Sequence, residues 1–156
     1  MIELDVPGWG KRRLEHLVCD FNGTIARDGQ ITAEAEELLA RVSIKLRVHL
    51  CTADHFGTVE RQTSRIQLAL KILRGTDLKR EKVEFVRRLG PLKVVAMGNG
   101  WADAAMLHEA TLGICVLGAE GASPATLSAA DIVCRSAEEA LELLLHPQRI
   151  AATLRR

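Results

Sequence analysis

The 156-residue sequence contains no tyrosine and only 3% aromatic residues, too few to build the stacking platform on which single-stranded nucleic acid binds. It also lacks an excess of either charge. Its 21 lysines and arginines nearly balance 20 aspartates and glutamates, and a net charge of +1 leaves no field to draw in a polyanion or an anionic membrane. Neither nucleic acid nor a membrane is therefore expected as a partner. No hydrophobic run approaches the roughly 18 residues of a membrane span, and the first residues lack the apolar core of a secretory signal. Cysteine is scarce: Cys19, Cys51, Cys115 and Cys134 stand singly in apolar runs, without the Cys-x-x-Cys spacing of zinc or redox sites. They read as buried thiols in a reducing, cytoplasmic setting.

What the chain does have is alternation. Short β-rich runs at 14–20, 46–52, part of 66–73, 92–98, 112–118 and 131–134 are separated by amphipathic stretches. Such a pattern predicts a parallel sheet with helices on both faces. Between the first two runs, "TAEAEELLARVSI" predicts a helix capped by the Thr32 hydroxyl, with Glu34 and Glu36 placed to suit the helix dipole. Further helices are expected near 57–66, 79–89, 101–109, 122–129, 136–145 and 147–155. With no linker, repeat or low-complexity segment, residues 1–156 read as one domain.

In an open sheet of this kind, ligands bind beyond the carboxyl ends of the strands. The stretch "LVCDFNGTIARDG" ends an apolar strand in Asp20 and turns through Asn22 and Gly23. The second strand closes in Thr52 and the fourth in Gly98-Asn99-Gly100, with Asp103 four residues beyond Asn99. Gly23 and Thr24 have the small, turn-permissive character that lets main-chain N–H groups approach an anion. Lys82, in "KREKVEFVRRLG", offers a fixed positive charge. A carboxylate nucleophile, a hydroxyl, an ammonium and oxygen ligands for a hard cation together suit phosphoryl transfer.

These stretches resemble, in order, the four motifs of the haloacid dehalogenase-like (HAD) superfamily. "LVCDFNGTIA" is similar to the Asp-x-Asp-Gly-Thr motif and "HLCTAD" to the strand ending in threonine or serine. "KVEFVRRLG" is similar to the lysine motif, and "AMGNGWADAAML" to Gly-Asp-Gly-x-x-Asp. The Gly-Asn-Gly form followed by "LGICVLGAEGAS" looks most like the small soluble P-type-ATPase-like members. The resemblance implies a three-layer, Rossmann-like α/β core with a mainly parallel sheet. It also implies a phosphohydrolase or phosphotransferase acting on a small phosphomonoester through an aspartyl-phosphate on Asp20. Gly23, Thr24, Thr52, Ala53 and Lys82 would hold the phosphoryl oxygens. Mg²⁺ would lie between Asp20, the main-chain carbonyl of Asn22, Asn99 and Asp103. Lys79 competes for the lysine role and ranks second, because the Lys-x-x-Phe-Val spacing fits Lys82.

Two positions depart from the motifs. Asn22 stands where HAD phosphatases carry the catalytic acid/base, and an amide neither protonates a leaving group nor takes a proton from water. Slow turnover is the expectation. Asn99 replaces a metal carboxylate, which predicts weak Mg²⁺ binding. Between Asp20 and Thr52, and between Thr52 and Lys82, there is room for little more than a helix and a strand, so no cap domain is expected. An uncapped site is open, and a homo-oligomer or a large substrate is expected to cover it. Trp101 and His55 are placed near this crevice. Two rivals follow from the same residues: a phosphate- or Mg²⁺-binding regulatory module of the same fold, and a receiver-like domain phosphorylated on aspartate. The second fits less well, since Asp20 ends the first strand and is followed by Gly-Thr.

Overall fold

A computed structural model describes residues 1–156. Its centre is a six-stranded, wholly parallel sheet built from β3 (His16–Cys19), β6 (Arg47–Thr52), β7 (Ala69–Ile72), β8 (Val94–Gly98), β9 (Leu112–Val116) and β10 (Ile132–Cys134), in the order β10-β9-β8-β3-β6-β7. All six strands lie inside the expected runs. The order makes β3 central, flanked by β8 and β6, so the tips that end in Asp20, Asn99 and Thr52 are neighbours.

Helices cover both faces because the strands are apolar on both. On one side α1 (Ala33–Lys45), α6 (Ala137–Leu145) and α7 (Pro147–Leu154) bury Leu38, Leu39, Val42, Leu141 and Leu144 against Leu17, Leu50, Met97 and Ile114. On the other, α3 (Leu78–Leu89), α4 (Ala104–Glu109) and α5 (Pro124–Ala129) set Val86, Met106 and Leu107 against Val18, Cys51, Ala96 and Cys115. The Thr32 hydroxyl caps α1 as expected, accepting from the Ala35 N–H at 3.0 Å. All four cysteines are buried and free. No helix is long and apolar enough to cross a membrane.

Three local features differ from expectation. An antiparallel hairpin, β1 (Ile2–Val6) and β2 (Gly10–Leu14), precedes the sheet; it forms because Ile2, Leu4 and Val6 alternate with Glu3 and Asp5 and bury one face, against which α7 packs. The helix expected over 57–66 is only α2, Val59–Gln62. Thr63 turns its hydroxyl back onto the Val59 carbonyl at 2.7 Å, a local bond that competes with helix continuation. The helix expected at 101–109 begins as a 3-10 turn over Trp101–Asp103. Between β3 and α1 the chain forms only the short hairpin β4 (Ala26–Arg27) and β5 (Gln30–Ile31).

Candidate active site

Asp20 is delivered by the central strand. Side chains alternate along β3, with Leu17 and Cys19 in the α1–α6 core and Val18 in the α3–α4 core. One residue further, the alternation directs Asp20 to the α3–α4 side, and its N–H still donates to the Met97 carbonyl at 3.0 Å. The carboxylate is thus fixed at the strand tip and only 8% exposed.

On α3, Lys82 and Val86 are the two buried positions, four residues apart on one face. The Lys82 ammonium donates to Asp20 Oδ1 at 2.8 Å and to Asp103 Oδ1 at 2.5 Å. Asp103 is itself held by its other oxygen, which accepts from the N–H groups of Asn99 at 3.0 Å and Gly100 at 2.9 Å. Burial and then the Asp103 charge push the Asp20 carboxyl up to about 6, against the pull of Lys82. Burial also works against the Lys82 ammonium, but the two carboxylates outweigh it and raise its pKa. Lys79 is not at this centre. Its ammonium sits 4.7 Å above the Trp101 ring.

Asn22 is the unsatisfied residue of the site. Its Oδ1 and Nδ2 are buried without a hydrogen-bond partner, an arrangement that costs roughly 1–3 kcal/mol per polar group. The backbone bridge beside it runs from the Ala26 N–H to the Phe21 carbonyl at 2.9 Å and from the Gly23 N–H to the Ala26 carbonyl at 2.7 Å. Neither the N–H nor the carbonyl of Asn22 joins a backbone hydrogen bond. Both are available to a ligand.

The amides of Gly23 and Thr24, expected to face a phosphate, both donate within the turn, the second to the Phe21 carbonyl at 3.2 Å. Both residues line an adjoining hollow with Glu120 and Arg135 rather than the Asp20 cleft. The Phe21 N–H, which lies against the Asp20 carboxylate, is the nearby amide that motif spacing did not single out. Asp103, expected as a metal ligand, accepts from Lys82 through Oδ1 and from the Asn99 and Gly100 N–H groups through Oδ2, and so holds Lys82 and the Asn99-Gly100 turn.

The remaining oxygens suit a hard cation. The Thr24 hydroxyl lies 3.0 Å from Asn99 Oδ1 and 3.5 Å from Asp20 Oδ2, so both oxygens lie beside it. Together with the Asn22 carbonyl, which joins no backbone hydrogen bond, these residues would offer Mg²⁺ the oxygen donors it takes, with one carboxylate charge where a second acid would strengthen binding. Thr52 is buried, and its oxygen accepts from the Asp54 N–H at 3.0 Å, which leaves its own proton to donate. Thr52, Ala53, His55 and Trp101 line a cleft of about 240 Å³ with Asp20 and Lys82. Two further residues carry no motif signal. Asp54, at φ 50°, caps α2 by accepting from the Thr58 and Val59 N–H groups at 3.0 and 3.2 Å. Glu120 accepts from the Asp28 N–H at 3.0 Å, its second oxygen crowding Gly23 beside Asn99.

No protein-family model matches the chain. The uncharacterized protein MJ0073 of Methanocaldococcus jannaschii is 48% identical to it over 63 residues, which is 40% of this chain and 68% of that protein. Among solved structures, a 3-deoxy-D-manno-octulosonate 8-phosphate phosphatase of Moraxella catarrhalis, in complex with magnesium, phosphate and the sugar acid, superposes with a TM-score of 0.70 at 16% identity. That likeness covers 89% of this chain and 90% of the other. A protein of Legionella pneumophila assigned to subfamily III A of the HAD superfamily matches with a TM-score of 0.70 and 16% identity, over 90% of this chain and 87% of its own. The shared feature is the fold.

Proposed function

Because the chain belongs to the family of the Methanocaldococcus jannaschii protein and has the HAD fold, we propose that it is a phosphohydrolase or phosphotransferase acting on a small phosphomonoester through Asp20. The observation that carries this reading is the buried Lys82 ammonium joined to both Asp20 and Asp103 in the strand-end crevice. A buried ion pair of this type is a poor device for stability, and a site is where it earns retention.

In this reading the Asp20 carboxylate attacks phosphorus and the bond to the leaving oxygen breaks, giving an aspartyl-phosphate. Lys82, the Thr52 hydroxyl and the N–H groups of Phe21 and Asn22 hold the phosphoryl oxygens, fixed before the reaction starts. Asp20, Asn99 and the Asn22 carbonyl would hold a Mg²⁺ ion, which would supply charge neutralisation for the phosphoryl oxygens. Asn22 cannot donate the proton that the leaving oxygen takes up, nor activate the water that reopens Asp20. Both proton transfers fall to solvent, and a positioned acid/base is typically worth about 10²–10⁴-fold in rate. Slow release of the phosphoryl group follows. A cytoplasmic location fits the four buried free thiols.

p-Nitrophenyl phosphate hydrolysis by the wild type with Mg²⁺, with chelator, and by Asp20→Asn tests this function. Metal-dependent turnover that disappears in the variant is expected. Equal turnover in the variant would overturn it. The orphaned amide of Asn22 favours one second reading, a phosphate-binding regulatory module; binding of phosphate and Mg²⁺ without any turnover is its signature.

A further inference from the structure

Trp101 is the feature of the cleft that phosphoryl transfer leaves unexplained. It follows Asn99-Gly100 directly, lines the same cleft as Asp20 and Lys82, and is 63% exposed. An aromatic side chain of this size normally buries most of its area. Here the 3-10 turn over Trp101–Asp103 prevents that. Asp103 is drawn inward by Lys82 and by the Asn99 and Gly100 N–H groups, and Trp101, two residues earlier, is left at the rim. One face of the indole is covered by the Lys79 ammonium, 4.7 Å from the ring centroid. That cation–π contact restrains a ring that solvent would otherwise let rotate. The ring is therefore exposed and restrained together, at the mouth of a site whose deep end holds the reacting group.

We propose that Trp101 selects phosphomonoesters whose leaving group carries a planar aromatic ring, which stacks on the open face of the indole while the phosphate lies against Asp20 and Lys82. The inference rests on the phosphoryl-transfer reading of the cleft and adds the substrate class. Two independent observations meet in it. The cleft, at about 240 Å³, has Asp20 and Lys82 at its buried end and the exposed Trp101 in its lining, so a ring on the leaving side of a bound phosphate comes to rest at Trp101. And Asn22 cannot protonate the leaving oxygen, which favours an oxygen that departs as a stabilised anion, as one conjugated to an aromatic ring does. In the step so favoured, the Asp20–phosphorus bond forms, the phosphorus–oxygen bond breaks, and the electron pair leaves on the ring-bound oxygen, which takes its proton from water afterwards. Trp101 is a specificity residue in this scheme, with Lys79 as its positioning residue.

The test uses non-hydrolysable ligands, so that binding is read apart from turnover. In a Trp9→Phe background Trp101 is the one remaining tryptophan, and its fluorescence is followed as phenylphosphonate or propylphosphonate is added with Mg²⁺; affinities are taken from calorimetry. Phenylphosphonate is expected to quench the emission and to bind about fivefold to tenfold more tightly than propylphosphonate, the range of an aromatic pair. Trp101→Ala is expected to erase that preference by weakening phenylphosphonate several-fold more than propylphosphonate, and Trp101→Leu, which keeps apolar bulk, to erase most of it. Equal affinities in the wild type, or a preference that survives Trp101→Ala, overturn the ring site while leaving the phosphate site standing. Binding of neither phosphonate, nor of inorganic phosphate, overturns both.

Discussion

The ammonium of Lys82 donates to Asp20 at 2.8 Å, and the two residues lie 62 positions apart in sequence. The same ammonium reaches Asp103, so one positive charge from α3 spans two carboxylates, one at the tip of β3 and one in the 3-10 turn that follows β8. Both partners are buried, and the electrostatics of the cleft turn on this contact.

Removing that charge should be costly. Lys82→Met leaves two buried carboxylates facing each other, and loss of one partner of a buried ion pair typically costs about 3–5 kcal/mol. The pH dependence follows from Asp20, which has a pKa of about 6 in the folded chain and an ordinary carboxylate value when unfolded. The unfolded chain ionises first, so Asp20 withdraws stability as pH rises from about 4 through about 6. Without Lys82 the loss should be larger and extend to higher pH. Urea unfolding of wild type and Lys82→Met between pH 5 and 8 checks this; a variant with the wild-type pH profile contradicts it.

Asn22→Asp returns an ionisable group to the position beside Asp20. Turnover of alkyl phosphates, which need a protonated leaving oxygen, should rise by up to about 10²-fold, within the usual range for an acid/base. Aryl phosphate cleavage should change less in its first step. Steady-state kinetics on both substrate types, with a burst measurement to separate aspartyl-phosphate formation from its hydrolysis, decide the matter.

Gly23 is held at φ 80°, and a Cβ there would come within 2.5 Å of Asn99 Nδ2 and 2.7 Å of Glu120 Oε2. Gly23→Ala should therefore combine left-handed backbone strain, about 1–3 kcal/mol, with displacement of Asn99 and weaker Mg²⁺ binding. Gly57, at φ 62° with nothing near its Cβ, is the control: its alanine variant should show only the strain. Thermal unfolding and Mg²⁺ titration of both variants would expose any failure, which takes the form of equal effects.

At the other end of the sheet, His16 Nδ1 and His49 Nε2 lie 3.0 Å apart across β3 and β6. Burial, then the Arg47 charge, lowers the pKa of His16; burial, then the His16 charge, lowers that of His49. Glu15 opposes the shift on His16, and Lys93 adds to it. A depressed histidine pKa means that the unfolded chain takes up protons first. Stability from the pair is complete above about 6.5 and is lost as pH falls through the folded values. Melting temperatures from pH 8 to 5 should fall more steeply for wild type than for the His16→Asn, His49→Asn double variant.

Much of the site could be read from the chain. Apolar strands closed by Asp20, Thr52 and Asn99 mark the tips of the candidate site because a parallel sheet covered on both faces leaves its strand ends polar, and the helix cap at Thr32 follows from local chemistry alone. The β1–β2 hairpin was not legible, because the charged Lys11-Arg12-Arg13 stretch in its second strand hides the partner of the alternating Ile2, Leu4 and Val6. The extent of α2 was less legible, since the Thr63 back-bond that ends it competes with helix only weakly.

The sequence by itself determined which strands form, which residues end them and which acids are replaced by amides, because these depend on side-chain pattern and identity. Only the tertiary structure decided which lysine meets Asp20, since strand order and the rotation of α3 set that distance. It also decided that the Gly23 and Thr24 amides are spent within their own turn and that Asp103 serves Lys82. Both outcomes depend on the direction of each hydrogen bond, and a direction exists only once the backbone has closed around it. The exposure of Trp101 has the same origin: the inward pull on Asp103, two residues away, leaves the indole on the outside.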